Sequence, residues 1–261
     1  MAGGVIGKAI STIRRKPGPK GKTVPPFHRV YAIGDIHGRL DLLDDLLQQI
    51  VADREAAKPA RAVLIYLGDY VDRGPDSRGV IDRLLAPPPD GFDVVHLLGN
   101  HEALMLHFLA DDRAGFGWLS NGGVATLASY GIEVAGEVYR REDLTALRVE
   151  LRERLPDAHR QFLQGLGLHH REGDYLFVHA GIRPGVPLDD QTADDLIWIR
   201  EAFLDSKADH GFVVVHGHSI RQEVVLRANR IGIDTGAFAS GTLTCLVLQD
   251  DRYELLQTGQ S

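Results

Sequence analysis

Short apolar runs alternate with helical patterns in the first hundred residues of this 261-residue chain. Runs rich in Val, Ile, Leu and Tyr predict buried strands over 29–33, 62–67 and 93–98. Between them, apolar residues at helical spacing predict helices over 40–52 and 77–85. A strand, helix, strand order predicts parallel strands joined by right-handed crossovers, so the expected fold class is α/β.

The second half of the chain predicts more strands. Two apolar runs, over 175–178 and 212–215, end at histidines. Four further runs with glycine-rich breaks predict antiparallel strands of a second sheet, at 223–226, 231–233, 243–248 and 253–256. Together with the first three strands, they predict a single domain over residues 28–261.

The segment around 111–166 is predicted to be a helical, cap-like insertion in that domain. It carries no metal-binding motif, and we expect it to border the cleft, where substrate choice is made. Phe116 and Trp118 within it are as consistent with core anchors as with rings that face a substrate, and the pattern does not decide between them.

Polar motifs follow the first three predicted strands. They are Gly34-Asp35-Ile36-His37-Gly38, Gly68-Asp69-Tyr70-Val71-Asp72-Arg73-Gly74 and Gly99-Asn100-His101-Glu102. In parallel sheets, functional groups collect at the carboxyl ends of the strands. We therefore expect the three motifs to meet in one place.

The residue types in these motifs are those of a metal centre. Asp35 and His37 are two residues apart in one loop and can share a cation, Asp69 can bridge two cations, and Asn100 offers an amide oxygen. Mixed nitrogen and oxygen ligands suit Mn, Fe or Zn better than Ca or Mg. The motifs predict a centre of two divalent ions, with Mn as the first choice and Fe or Zn as alternatives.

A second ion requires more ligands, and histidines at later strand ends can supply them. His179 follows one predicted strand and precedes Ala-Gly, whereas His216 and His218 compete for the same role after another. Other histidines look structural: His96 is predicted to be a core residue, and His159, His169 and His170 to lie at the surface or in loops. Glu102 is predicted to tie down the loop under Asn100.

The motifs GDIHG, GDYVDRG, GNHE, HAG and GHS together resemble those of bacterial members of the phosphoprotein phosphatase family. This family belongs to the calcineurin-like metallophosphoesterases. The resemblance extends from about residue 29 to 248 and is specific, because separate motifs agree in order and in residue type. It implies two stacked mixed sheets flanked by helices. It also implies a direct attack on phosphorus by a hydroxide that bridges two metals.

The same resemblance implies a role for each matching position. One metal would be held by Asp35, His37 and Asp69, and the other by Asp69, Asn100, His179 and His218, which makes His216 a neighbour. His101 resembles the general acid and Asp72 the residue that orients it. The substrate phosphate would be bound by Arg73, Arg200, Asn100 and His101, the arginines through paired hydrogen bonds.

Three functions follow as hypotheses. The first is hydrolysis of phosphoserine and phosphothreonine in proteins, with phosphotyrosine as a further substrate. The second is a symmetrical dinucleoside tetraphosphate hydrolase, a sister group whose members usually lack an aspartate at the position of Asp72 and have Asp where Glu102 stands. The third is a non-catalytic scaffold, which is disfavoured because no ligand or acid is missing.

Composition and charge limit the partners. The formal charge of −7 argues against a general nucleic-acid binder, and the single cysteine is compatible with a reducing, cytoplasmic location. Residues 1–26 contain six basic and no acidic side chains, and Pro and Gly near Lys16–Lys22 predict a flexible tail over 1–27. The tail is expected to solubilise, or else to contact an anionic membrane or a partner weakly. A spanning helix is not expected, because no run of about eighteen apolar residues occurs.

Overall fold

The computed structural model describes residues 15–134 and 140–259. Residues 1–14, which contain the earlier part of the predicted tail, lie outside this range. Two β-sheets stack face to face, with helices on their outer sides. This arrangement confirms the predicted α/β fold of two mixed sheets flanked by helices.

The first sheet has six strands in the order β1-β11-β10-β2-β3-β4. Strands β2, β3 and β4 are parallel, and β10 joins them antiparallel to β2, with Cys245 opposite Ile33. The strands of this sheet are β1 (Lys16–Pro17), β2 (His28–Ile33), β3 (Arg61–Tyr66), β4 (Phe92–His96), β10 (Thr244–Gln249) and β11 (Arg252–Gln257).

The second sheet has five strands in the order β5-β6-β7-β9-β8. Strands β6, β7 and β9 are parallel to one another, whereas β5 and β8 pair antiparallel at the two edges. The strands of this sheet are β5 (His169–Glu172), β6 (Tyr175–Val178), β7 (Val213–His216), β8 (Val225–Leu226) and β9 (Arg230–Gly232).

Ten α-helical segments are found in the described residues. Two 3₁₀ turns, Asp112–Ala114 and Leu188–Asp190, and a π-type turn, Leu119–Gly123, accompany them. The helices are α1 (Leu40–Ala57), α2 (Ser77–Leu85), α3 (Asn100–Ala110), α4 (Gly115–Trp118), α5 (Val124–Ser129), α6 (Arg141–Arg154), α7 (Asp157–Gln164), α8 (Ala193–Trp198), α9 (Glu201–Leu204) and α10 (Ala237–Ser240). No helix among these has the length and apolar character that crossing a membrane requires.

Three apolar cores hold the layers together. One lies between the sheets and includes Val30, Ile65, Phe177 and Val215. A second packs α1 to α7 on the outer face of the first sheet, and a third packs α8 and α9 on the outer face of the second. Because central strands are covered on both faces, their buried side chains are mostly apolar, as the sequence pattern indicates.

The carboxyl-terminal strands differ from the prediction. Strands β10 and β11 belong to the first sheet and not to the second, and β9 runs parallel to β7. The reason is that β10 is buried on both faces, and a strand that is apolar on both faces can join either sheet. Only its register with β2 assigns it to the first sheet.

The described part of the predicted tail contacts both sheets. Lys16 pairs with Tyr253 on the outer edge of β11, and Nε of Arg15 lies 2.8 Å from Glu254. The side chain of Val24 is buried between the sheets. This segment therefore covers backbone groups of β11 that would otherwise lie unpaired at the sheet edge.

Candidate active site

The predicted motifs meet at the carboxyl ends of five strands, namely β2, β3 and β4 of the first sheet and β6 and β7 of the second. Two groups of metal-ligating side chains lie there, and Asp69 belongs to both. Within each group the candidate ligand atoms lie within 4.8 Å of one another. The first group is His37, Asp69 and His101, and the second is Asp69, His179 and His218.

Backbone carbonyls orient two of the histidines. Nδ1 of His37 lies 2.8 Å from the carbonyl oxygen of Val71, and Nδ1 of His179 lies 2.9 Å from that of Leu67. Each Nδ1 therefore carries the proton and donates it, which leaves Nε2 as a lone pair directed at the other ligands.

Two side-chain oxygens converge on Nε2 of His179, whose own proton lies on Nδ1. Its Nε2 lies 3.0 Å from Oδ1 of Asn100 and 3.4 Å from Oδ1 of Asp69. The buried Nε2 of His218 has no hydrogen-bond partner. Lone pairs facing one another are costly when buried, unless a cation lies between them. The donor set of imidazole, carboxylate and amide oxygen fits Mn, Fe or Zn.

Asp35 lies on the other side of the second group. Its carboxylate oxygens accept the backbone N–H of His218 at 3.0 and 3.2 Å. A Cβ at Gly217 would clash with Oδ1 of Asp35, so the backbone approaches the carboxylate closely because residue 217 is glycine.

Burial shifts the pKa of each of these ligands toward its neutral form. It raises the pKa of Asp69 to about 7 and that of Asp35 well above its usual value, where the nearby Asp234 adds to the effect. It lowers the pKa of His218 to about 3 and that of His179 well below the ordinary range. Neutral imidazoles are ready to bind a metal, whereas the carboxyls must lose a proton to do so.

His101 and Asp72 form a second functional unit. Nδ1 of His101 lies 2.7 Å from Oδ2 of Asp72. The Asp72 carboxylate also accepts hydrogen bonds from Oγ1 of Thr126 at 2.7 Å and from Nε1 of Trp118 at 3.1 Å. Burial raises the pKa of Asp72 to about 7, and it lowers the pKa of His101. With Nδ1 held by Asp72, Nε2 of His101 faces the metal ligands.

Glu102 fixes the loops beneath the site, as predicted. Its two carboxylate oxygens accept four backbone N–H groups, those of Gly99, Asp69, Tyr70 and Val71, at 2.7 to 3.2 Å. The side chain is fully buried. One carboxylate at the start of α3 therefore joins the second and third motifs.

The backbone of the site is strained. Eight non-glycine residues among the described ones have a positive φ, and five of them are site residues. They are His37 (46°), Asp69 (54°), Asp72 (71°), Arg73 (68°) and His218 (61°). Such conformations cost free energy for residues with a Cβ and concentrate where a function requires them.

The two predicted phosphate-binding arginines differ in position. Nη1 of Arg73 lies 2.9 Å from Nε2 of His37, and its Nη2 lies 3.0 Å from Nε2 of His101. Arg200 is exposed at the rim, and its Nη1 reaches the carbonyl oxygen of His218 at 3.5 Å. Both cations therefore border the ligand cluster.

Residues 28–235 match the family model of the calcineurin-like phosphoesterases, which is well over half of the chain. The chain belongs to this family. The two-sheet fold and the cluster of candidate metal ligands are consistent with this family.

Relatives with two different names match this chain of the calcineurin-like phosphoesterase family. A symmetrical bis(5'-nucleosyl)-tetraphosphatase of Acidovorax sp. (strain JS42) is 36% identical over 187 residues, which cover 70% of this chain and 54% of that protein. The chain therefore spans about half of that relative's length. Serine/threonine-protein phosphatase 2 of Salmonella typhimurium is 28% identical over 229 residues, covering 84% and 92%.

A solved structure supports the fold. A cold-active protein tyrosine phosphatase superposes with a TM-score of 0.56 and 18% identity, covering 90% of this chain and 81% of that one. At this identity the likeness concerns the fold alone.

Several residues that border the site cannot be assigned to it from the sequence pattern. Trp118, left undecided, is fully buried and donates to Asp72, whereas Phe116 is 47% exposed. Thr126 lies in the predicted insertion and Asp234 directly follows the strand predicted over 231–233, but neither lies in one of the motifs that indicate a role. Only the packing of α5 and of the loop after β9 brings them to the site.

The remaining histidines divide clearly. His216 points away from the ligand cluster, with its ring 5.2 Å from that of Phe203, and is absent from both ligand groups. His96 is half-buried and stacks on Tyr66 at 5.0 Å. The surface prediction for His159 is wrong, since its ring is buried between α7 and α2 with hydrogen bonds to Tyr130 and Asp82.

Proposed function

We propose that this chain is a metal-dependent phosphomonoesterase that hydrolyses phosphoserine and phosphothreonine in proteins, with phosphotyrosine as a further substrate. The observation that carries the proposal is the His101–Asp72 pair beside the ligand cluster, with Nδ1 and Oδ2 2.7 Å apart. Such a pair is needed when the leaving group is a poor one.

Two divalent ions fit the ligand cluster. Asp35, His37 and Asp69 would hold one, and Asp69, Asn100, His179 and His218 the other, with Mn the first candidate and Fe or Zn the alternatives. When bound, such ions supply Lewis acidity and an activated water at neutral pH. Asp69, which belongs to both ligand groups, would be the shared ligand.

His101 would protonate the leaving oxygen. An alkoxide from serine or threonine leaves poorly without a proton, so a positioned acid contributes most for these esters. Asp72 holds Nδ1 and so keeps Nε2 as the atom that gives up the proton. Trp118 and Thr126 fix the carboxylate in turn.

Arginine would hold the phosphoryl oxygens. Arg73 presents its planar fork at the ligand cluster, and Arg200 approaches the cluster from the rim beside His218. A guanidinium matches the geometry of phosphate with two parallel hydrogen bonds. Asn100 and His101 would complete the phosphate site from the start of α3.

A symmetrical dinucleoside tetraphosphatase is the second candidate, because the Acidovorax relative that carries this name is 36% identical. The sister group to which the name refers usually differs at the positions of Asp72 and Glu102. In this chain Asp72 pairs with His101, and Glu102 accepts four backbone N–H groups. These contacts favour the protein phosphatase.

A direct comparison of substrates tests the proposal. The metal-loaded protein is assayed with phosphoserine and phosphothreonine peptides and with diadenosine tetraphosphate under identical conditions. We expect a higher kcat/KM for the phosphopeptides. A strong preference for the dinucleotide would replace the proposal by the second candidate, and no turnover of any phosphoester would contradict both.

A further inference from the structure

The guanidinium of Arg73 forms no ion pair with a carboxylate among the described residues. Its guanidinium instead lies between the Nε2 atoms of His37 and His101. Both histidine atoms have other partners in the proposed reaction. To bind phosphate, the guanidinium of Arg73 must therefore give up its hydrogen bonds to the two histidines and still remain at the site.

Phe238, which no motif singles out, provides a surface for this exchange. The guanidinium carbon of Arg73 lies 4.9 Å from the centre of the Phe238 ring, within the range of a cation–π contact. The ring of His37 meets the same phenyl ring edge-on at 5.4 Å. The half-buried Phe238 thus borders both the arginine and a candidate metal ligand.

The backbones that carry the two side chains are held in place. The N–H of Arg73 donates to the carbonyl oxygen of Gly122 at 3.2 Å, and a Cβ on Gly122 would collide with the Arg73 side chain. Helix α10, which bears Phe238, is held at Ala237, whose carbonyl accepts Nη1 of Arg39 at 3.1 Å. Because both ends are anchored, the stacked contact has a defined position.

We propose that Phe238 is a positioning residue for phosphate binding, because its ring face holds the Arg73 guanidinium at the site while the fork turns from the histidines to the substrate. The proposal rests on the proposed function in that Arg73 binds phosphate. A guanidinium on an aromatic face keeps its charge and all its N–H donors, since the contact uses neither. A carboxylate partner would compete with phosphate for both.

Substitutions of Phe238 distinguish the effect of its aromatic ring from the effect of its side-chain volume. The inhibition constant of inorganic phosphate is measured with p-nitrophenyl phosphate as substrate, so the result does not depend on serine or threonine specificity. Phe238→Leu should raise this constant and KM by about 2- to 30-fold, the range of a cation–π contact, with a smaller change in kcat. Phe238→Tyr and Phe238→Trp should restore wild-type values.

Two controls accompany these variants. Phe27→Leu removes an exposed aromatic ring at the amino end of β2, opposite the site, and should leave the phosphate constant unchanged. In an Arg73→Ala background, Phe238→Leu should have no further effect, because Phe238 acts through Arg73. Metal content by elemental analysis should be equal in Phe238→Leu and wild type.

Three results would overturn the proposal: a wild-type phosphate constant in Phe238→Leu, failure of both aromatic variants to restore binding, or additive effects with Arg73→Ala. Absence of activity on phosphopeptides together with a raised phosphate constant in Phe238→Leu would contradict the proposed function and still support the role of Phe238.

Discussion

Nδ1 of His101 lies 2.7 Å from Oδ2 of Asp72, and both side chains are buried against the candidate metal ligands. The two residues come from different strand ends, with His101 on the first turn of α3 and Asp72 in the loop after β3. Trp118 and Thr126 of the insertion hold the same carboxylate. The insertion therefore helps to hold the His101–Asp72 pair in place.

The acid role of His101 predicts a loss that depends on the leaving group. His101→Asn should reduce kcat on a phosphoserine peptide by about 10²- to 10⁴-fold, and should reduce turnover of p-nitrophenyl phosphate much less, because that leaving group needs no proton. Metal content should not change. His107→Asn, an exposed position on the same helix, is the matched control. Full activity of His101→Asn on the peptide would show that another group is the acid.

The two neighbouring histidines at the end of β7 predict different metal contents. His218→Gln should lose one of the two ions, whereas His216→Gln should keep both, because the ring of His216 faces Phe203 and not the ligand cluster. Asp69→Asn should lower occupancy at both positions. Elemental analysis of the purified variants measures this, and the opposite result for the two histidines would reverse the assignment.

Metal binding should depend on pH through Asp69. Burial raises the pKa of this carboxyl to about 7 in the metal-free protein, so below pH 7 an incoming ion must displace its proton. The histidine ligands add no such competition, because burial lowers their pKa values and they are already neutral. We expect the affinity for Mn²⁺ to fall at least about tenfold per pH unit below 7.

Calorimetric titration with Mn²⁺ in two buffers of different ionisation enthalpy checks this dependence. It should show weaker binding at pH 6 than at pH 8 and, at pH 6, release of the proton that Asp69 carries in the metal-free protein. An affinity that is the same at both pH values, with no proton released, would show that Asp69 does not bind the ion.

Glu102 predicts an effect on stability. Each carboxylate oxygen of Glu102 accepts two backbone N–H groups, so Glu102→Gln places an NH₂ group opposite two donors, and buried donors without a partner are costly. We expect a loss of about 2–4 kcal/mol in the free energy of unfolding. In a chain of this size that lowers Tm by roughly 5–15 °C.

Glu55→Gln, on the exposed side of α1, is the matched control for this change and should have almost no effect. Thermal unfolding of the metal-free proteins measures both variants, so that metal occupancy does not enter. An equal Tm for Glu102→Gln and wild type would show that the four hydrogen bonds do not stabilise the loops.

Much of the site is predictable because ligand and acid residues follow apolar strands within a few positions. Asp35, Asp69 and Asn100 each come after glycine at a strand end, and parallel strands bring such ends together. Asp35 and Asp69 lie in the loops after β2 and β3, and Asn100 is the first residue of α3, which follows β4. The role of Glu102 follows in the same way from its place in the third motif.

Contacts between distant elements cannot be derived from such patterns. Phe238 and Asp234 reach the site only because β9 lies beside β7, and β10 joins the first sheet only through its register with β2. His159 looks like a surface residue in a charged helix, but the packing of α7 on α2 buries it. In each case the deciding partner is far away in sequence.

Anomalous scattering at the manganese edge, measured on crystals soaked in Mn²⁺, counts and locates the ions of the proposed centre. We expect two anomalous peaks roughly 3.5–4 Å apart, with Asp69 between them and His37 and His218 on opposite ions. A single peak, or none at the convergence of β2, β3, β4, β6 and β7, would contradict it.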